Sequence, residues 1–262
     1  MTKELISALR SGVVRLAFFN DSEQVGSGSG FLSNGFLVTC SHIMRRYPFD
    51  AVEITFGDQN STPITPIRYA TDNLYQCIIN ESLESEYDYA ILKIDEPELQ
   101  GRYQFPIKYM KGEIVGEQVL FFGFPFGSQH LTSHVGYISA DFWSNKIHIF
   151  QIDGSINPGN SGGPLVHIGS GAAVGMVTRT QTGLEKDFDD LITAISNNVK
   201  ALEQSGRGAR MTIGGIDPIQ ATKVTMGILA KLSANLKRSA NVGIGYAFSS
   251  EHILKTGSLR EE

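Results

Sequence analysis

Residues 157–164 read Asn157-Pro158-Gly159-Asn160-Ser161-Gly162-Gly163-Pro164, one serine among three glycines, with prolines bracketing the run. Glycine accepts φ > 0 and allows close backbone approach, so such a run can close into a concave turn with its N–H groups facing inward. A serine hydroxyl at the apex would stand beside those donors, which puts a nucleophile and an oxyanion hole on one short segment, as acyl transfer requires. Two more residues supply the remaining chemistry. His42 lies in Thr39-Cys-Ser-His42-Ile-Met, and Asp88 opens Asp88-Tyr-Ala-Ile-Leu-Lys-Ile94. A buried aspartate beside an imidazole fixes its tautomer and stabilises the imidazolium, so the imidazole can take the serine proton and return it to a leaving amine. His42, Asp88 and Ser161 are far apart in sequence, so only the tertiary fold can join them.

The elements that must do so read as short strands. Gly12–Phe19 is a strand ending at Asn20-Asp21, and Gly26-Ser-Gly-Ser-Gly30 reads as a flexible turn, with no lysine or helix pattern after it to make a phosphate loop. Phe31-Leu32 and Phe36–Thr39 flank Ser33-Asn34-Gly35, a hairpin signal, and His42 follows at the end of that strand. Val52–Phe56, Ile64–Tyr69, Cys77–Asn80 and Tyr89–Ile94 continue the pattern, and a second set runs over 118–122, 133–139, 146–153, 165–168, 173–180 and 242–248. Regular short strands with turn signals between them point to barrels or sandwiches. Between about 184 and 240 the period changes. Phe188, Leu191, Ile192, Ile195, Val199 and Leu202 fall at helical spacing, then Asp217 and Pro218 open a second stripe through Val224, Ile228, Leu232 and Leu236. This predicts a helical hairpin inserted between two strands, with Ser250 capping a short closing helix.

Composition narrows the partners. The 262 residues are 41% hydrophobic and 19% charged with a net charge of -5, and no basic patch is interleaved with aromatics, which argues against nucleic acid. No apolar stretch approaches the ~20 residues of a membrane span, so no membrane partner is expected. The N-terminus lacks the apolar core of a secretory signal. Two cysteines, Cys40 and Cys77, are too few for a disulfide framework, and together these features set the expectation of a cytoplasmic protein with reduced thiols. His130 and His134 have metal-like spacing only on a helix, and their neighbours suggest a strand. Neither a metal nor another cofactor is assigned.

Thr39-Cys-Ser-His42-Ile, Asp88–Ile94, Gly123-Phe-Pro-Phe-Gly127, Ile156–Leu165 and Gly243–Phe248 together resemble the trypsin-like serine proteases, most closely the Deg/HtrA branch. The resemblance covers roughly residues 12–182 and 241–256. It implies an all-β, chymotrypsin-like fold of two antiparallel six-stranded barrels with the cleft between them, in a single peptidase domain. The first barrel would span about 12–105, the second about 112–182 and 241–250, with the helical insertion at 184–240 and the C-terminal helix at 250–256. It implies that His42 is general base and acid, Asp88 orients it, and Ser161 is the nucleophile. The N–H groups of Gly159 and Ser161 would form the oxyanion hole, with Asn160 shaping the turn between them.

Departures from that pattern carry information. Asn160 stands where digestive relatives place an aspartate that pairs with a freshly cut N-terminus, which argues against activation by clipping. Ser155 and Ile156 occupy the specificity region, with Ile244 expected nearby and Thr178, Arg179 and Thr180 bordering the substrate strand. With no counter-charge there, cleavage is expected after small or medium uncharged residues. The export signal and peptide-binding PDZ domain of the Deg/HtrA pattern are missing from this sequence. The expected function is a serine endopeptidase acting on protein through an acyl-enzyme, with the helical insertion either a solvated decoration packed on the second barrel or a docking element for an activating protein partner. The alternative is a protease-fold scaffold or sensor that binds a peptide strand without cutting it.

Overall fold

The computed structural model describes residues 3–46, 48–56, 66–180, 185–205, 217–239, 243–257 and 259. After helix α1 (Lys3–Ser11) comes a first antiparallel sheet of β1 (Val13–Asn20), β2 (Glu23–Ser33), β3 (Phe36–Thr39), β4 (Ala51–Phe56), β5 (Ile67–Ala70), β6 (Ile78–Ser82) and β7 (Tyr89–Leu92), ordered β5-β4-β1-β2-β3-β7-β6. Short helices α2 (Ser41–Arg45) and α3 (Thr71–Gln76) interrupt it. Where six strands are expected there are seven. β5 and β6 lie on either side of α3 and pair with opposite ends of the sheet. The second unit of sheet matches the expectation: β8 (Gln118–Gly123), β9 (Thr132–Ser144), β10 (Ile147–Asp153), β11 (Pro164–His167), β12 (Ala173–Thr180) and β13 (Ile244–Ser249) close a barrel ordered β10-β13-β12-β11-β8-β9. This is the two-barrel, chymotrypsin-like architecture.

Local chemistry explains the turns. Asn34 and Gly35 take φ of 48° and 79° between β2 and β3, the left-handed pair that a two-residue hairpin needs. Apolar residues line the interiors: Val14, Leu16, Leu32, Leu37, Val52, Ile54 and Leu92 in the first sheet, and Val119, Phe121, Ile138, Phe150, Ile152 and Val177 in the barrel. A third cluster, including Phe31, Val38, Leu120 and Phe122, joins the two sheets, so the cleft has a rigid floor. His42 sits in the first turn of α2 rather than at the end of a strand.

The expectation of a flexible turn at Gly26–Gly30 does not hold. These residues are strand β2, paired residue for residue with β1 from Gly26↔Phe18 to Gly30↔Val14. Their small side chains serve close packing instead of mobility. A Cβ on Gly28 would strike Ile43, and one on Gly30 would come within 2.8 Å of Leu37. Opposite them, Gly162 has φ +87°, and a Cβ there would collide with the Ser29 carbonyl oxygen. The serine loop is thus pressed directly against β2.

The chain divides into two compact units, Met1–Thr180 with Gly243–Glu262, and Gln181–Val242. The second contains α4 (Glu185–Ser205) and α5 (Pro218–Ser239), the helical hairpin expected from the periodicity. Asp217 caps α5 as its position suggests, accepting the Ile219 and Gln220 N–H groups at 2.9 and 3.2 Å. The closing helix α6 (Glu251–Lys255) differs: Ser250 makes no side-chain cap, and its hydroxyl donates to the Lys108 carbonyl at 2.6 Å.

Gly162→Ala combines a forbidden φ with overlap against backbone, and should cost about 2 kcal/mol or more. Urea denaturation of the variant against wild type checks this. A loss under about 0.5 kcal/mol, the range of neutral surface changes, would contradict the packing of the loop on β2.

Candidate active site

The serine loop is built by spending its carbonyl oxygens. Asn157 C=O accepts from the Asn160 N–H at 3.0 Å, closing a turn whose third residue, Gly159, has φ +99°. Pro158 C=O accepts from Phe126 N–H at 2.6 Å, Asn160 C=O from Gly163 N–H at 3.0 Å, and Ser161 C=O from Ser29 N–H at 2.8 Å. Gly159 C=O accepts from the Ser29 hydroxyl at 2.7 Å. Five consecutive carbonyls therefore point into the protein. In a planar trans peptide the N–H lies opposite the C=O, so the Gly159 and Ser161 N–H groups face away from those partners. Among the described residues they donate to nothing. Two unspent donors beside a serine hydroxyl form an anion-binding concavity.

Opposite this loop stands the imidazole. His42 Nδ1 lies 2.7 Å from Asp88 Oδ2, and the His42 backbone N–H donates to Asp88 Oδ1 at 2.9 Å. Asp88 is fully buried and takes φ +48°, a left-handed conformation that aspartate tolerates. Burial by itself would raise its pKa. The hydrogen bonds and charge of His42, with the Thr178 hydroxyl, outweigh that and hold the carboxyl below its ordinary range. A carboxylate kept ionised on Nδ1 leaves Nε2 as the nitrogen available to a serine.

Thr178 ties the two halves together. Between Val177 and Arg179 the β12–β13 register shifts, so Thr178 is a bulged residue, a device that re-aims a side chain beside an active site. Its hydroxyl donates to Asp88 Oδ2 at 2.8 Å, and its carbonyl accepts the Ser161 hydroxyl at 3.0 Å. Ser161 makes no hydrogen bond to His42 among the described residues.

The structure brings His42, Asp88, Gly159, Asn160 and Ser161 to one place, with Thr178, expected along the substrate strand, bonded to both Asp88 and Ser161. Asn160 is fully buried, and its side-chain amide has no protein partner among the described residues. In the specificity region Ser155 is exposed, while Ile156 is buried and packs its Cδ1 against Gly245. Gly245, not Ile244, faces that side chain; strand alternation puts Ile244 on the other face. The Arg179 and Thr180 backbones pair with Tyr246 and Gly245, while their side chains lie outside the described residues. A recess of about 430 Å³ beside His42 is lined by Ser41, Arg45, Leu83 and Ser85 among others.

Two residues escaped the sequence reading. Ser29 donates from its backbone to Ser161 C=O and from its hydroxyl to Gly159 C=O, and that hydroxyl accepts the Phe124 N–H at 3.0 Å. The only signal was a serine among glycines, which reads equally as a turn. Phe126, with φ 56°, turns its N–H onto Pro158 for the same end. Metal chemistry fits less well. Ligand atoms of Cys40, His42 and Asp88 lie within 4.8 Å of one another, but His42 and Asp88 already spend theirs on each other. Burial first, then the charge of Asp88, pushes the Cys40 thiol well above its ordinary range, so it stays protonated. His130 and His134 do not share a helix; His134 lies on β9, stacked on Phe121.

Known proteins are similar to this chain in sequence and fold. Residues 26–176 match the trypsin-like peptidase domain. The chain is 33% identical over 162 residues to Protease Do-like 1, chloroplastic, of Arabidopsis thaliana, covering 58% of this chain and 33% of that protein. It is 32% identical over 170 residues to a probable periplasmic serine endoprotease DegP-like of Chlamydia pneumoniae, covering 62% and 30%. The chain thus spans about a third of the length of these relatives. Among solved structures it superposes on the HtrA-type protease AlgW with tripeptide at a TM-score of 0.58 and 20% identity, covering 97% of this chain and 62% of that one. A serine endoprotease from Yersinia pestis gives 0.51 and 24%, covering 69% and 58%.

Two variants test this geometry. Ser29→Ala should lower kcat about tenfold with KM nearly unchanged, because the lost hydroxyl loosens the oxyanion donors and not the substrate strand; an unchanged kcat would remove Ser29 from the site. Thr178→Val takes one donor from Asp88, so its folded-state pKa rises toward the unfolded value. A carboxyl with a lowered folded pKa stabilises the fold above its unfolded pKa, and that stability is lost as pH falls through the folded value. The acid-unfolding midpoint followed by circular dichroism should therefore move to higher pH in the variant, and an unmoved midpoint would contradict it.

Proposed function

The chain belongs to the trypsin-like peptidase domain family, and on that premise we propose that it is a serine endopeptidase acting on protein through an acyl-enzyme. The observation that carries this is the loop with five spent carbonyls and two unspent N–H groups beside Ser161, facing a His42 already oriented by Asp88. In the reaction, Ser161 Oγ attacks the scissile carbonyl carbon while His42 Nε2 takes its proton. The new oxyanion accepts from the Gly159 and Ser161 N–H groups. The C–N bond breaks as His42 returns the proton to the departing amine, leaving an ester on Ser161. Water, deprotonated by His42, then attacks the ester and releases the acid and free Ser161.

Specificity follows from Ile156. Ile156 packs its side chain against Gly245 and gives this region an apolar wall, which suits small or medium uncharged side chains. Activity is switched by a partner at the helical hairpin. The support is connectivity. Ser161 rests on the Thr178 carbonyl, and β12, which carries Thr178, ends at Thr180, where the chain enters the helical unit. Ordering of a segment on binding is an established way to gate a site. Replacing 185–239 by a short linker should change the basal rate; a rate within twofold of wild type would remove the switch.

Fluorophosphonate labelling tests the chemistry: wild type should label and Ser161→Ala should not. Failure of both would leave a peptide-binding scaffold as the better reading. On a peptide panel, wild type should prefer Ala or Val before the cut, and Ile156→Ala should move the preference toward Leu or Met by about tenfold, the worth of a few methylenes. A preference for Arg would overturn the pocket.

A further inference from the structure

α5 carries more apolar surface than its hairpin uses. Lys223 reaches Glu203 of α4 at 3.5 Å, which marks the side of α5 turned to its partner helix, and buried Ser233 and half-buried Met226, Ala230 and Ala234 lie on that side. Away from it, Val224, Ile228, Leu232 and Leu236 recur every four residues with Leu229 beside them, so they form one stripe about 18 Å long. All five stay close to half exposed or more, up to 61% for Ile228. Exposed aliphatics in a continuous row mark a surface that something covers.

Charge identifies the occupant. α5 contains Lys223, Lys231, Lys237 and Arg238 and no acidic residue, although the chain as a whole is at -5. A second copy docking through the same stripe would set basic helix against basic helix. The stripe also lacks the tryptophan, tyrosine and arginine anchors that concentrate energy in protein interfaces. Aliphatic residues on one face of a helix whose charges are all basic suit the boundary of an anionic bilayer, with those side chains among the acyl chains and exposed Lys231 beside them at the phosphates, while Lys223 stays with Glu203.

We propose that α5 is a membrane-surface element that lays Val224, Ile228, Leu229, Leu232 and Leu236 into an anionic phospholipid leaflet. No helix of the described residues is long and apolar enough to cross a membrane, and none is needed for this mode. The expectation of no membrane partner rests on the lack of a spanning segment, and a helix that lies in the surface needs none. The inference goes beyond the peptidase reading and stands without it.

Co-sedimentation of the full chain with vesicles tests it, using phosphatidylcholine alone and phosphatidylcholine with about one third phosphatidylglycerol. Binding to the anionic vesicles should exceed binding to the neutral ones about tenfold or more and fall with added salt. Ile228→Ser with Leu232→Ser should weaken it about tenfold or more, at unchanged melting temperature and fluorophosphonate labelling. Lys231→Glu, which keeps the stripe, should weaken binding to the anionic vesicles alone and serves if the double variant fails to fold. Four outcomes overturn the proposal: no binding to either vesicle, equal binding to both, double-variant binding at wild-type strength, or stripe-dependent self-association in ultracentrifugation without vesicle binding.

Discussion

The constraint on which the site depends is a backbone one: every carbonyl from Asn157 to Ser161 has a donor, and the Gly159 and Ser161 N–H groups have no acceptor among the described residues. An N–H that gives up water without gaining an acceptor costs about 1–3 kcal/mol, and a loop would ordinarily relax to pair such donors. Here it cannot. Turning over the peptide that carries the Gly159 or the Ser161 N–H would strip Phe126 or Gly163 of its acceptor, and Ser29 fixes the carbonyls of the neighbouring peptides. The anion site is therefore held by the hydrogen bonds on its reverse side, and much of that side is β2. Ser29 alone supplies two donors and spans the loop from Gly159 to Ser161.

The electrostatic half depends on a different economy. Asp88 is fully buried, which would favour its neutral form, yet three donors converge on it from His42 and Thr178. Thr178 contributes by being out of register. As the extra residue of a bulge, it presents its hydroxyl to the acid and its carbonyl to the nucleophile. One residue of the second barrel thus senses both ends of the triad, and it lies two positions from the point where the chain leaves for the helical unit. The close packing of the Gly162 backbone against Ser29 and Thr39 makes the first sheet and the second barrel a single rigid frame for these contacts.

The helical unit follows other rules. Its helices are specified by period and capping, with Asp217 closing α5 on its own side chain. The α4 side of α5 carries Met226, the small residues Ala230, Ser233 and Ala234, and Lys223, which leaves the leucines and Ile228 outward. The arrangement inverts the usual economy of an amphipathic helix, where the largest apolar residues face the partner.

How much of this was legible in the residues differs from element to element. Ser161 with its glycines, His42 and Asp88 were readable because each chemistry demands a residue type in a local setting: φ > 0 at Gly159 and a nucleophile beside it leave few alternatives. The Asn34-Gly35 hairpin and the α4 and α5 periods were readable for the same reason, since their causes lie within a few residues. Gly26–Gly30 misled because glycine marks both a free turn and a backbone pressed by a neighbour, and the neighbour, Gly162, is distant in sequence. Ile244 was expected near Ile156, and it is Gly245 that meets that side chain, because the register of β13 is set by its partners β10 and β12. The bulge at Thr178 and the two bonds of Ser29 left no local mark. Residue types determined which chemistry this chain can carry; strand register and the meeting of remote backbones, which are long-range hydrogen-bond choices, decided which groups are aimed at it.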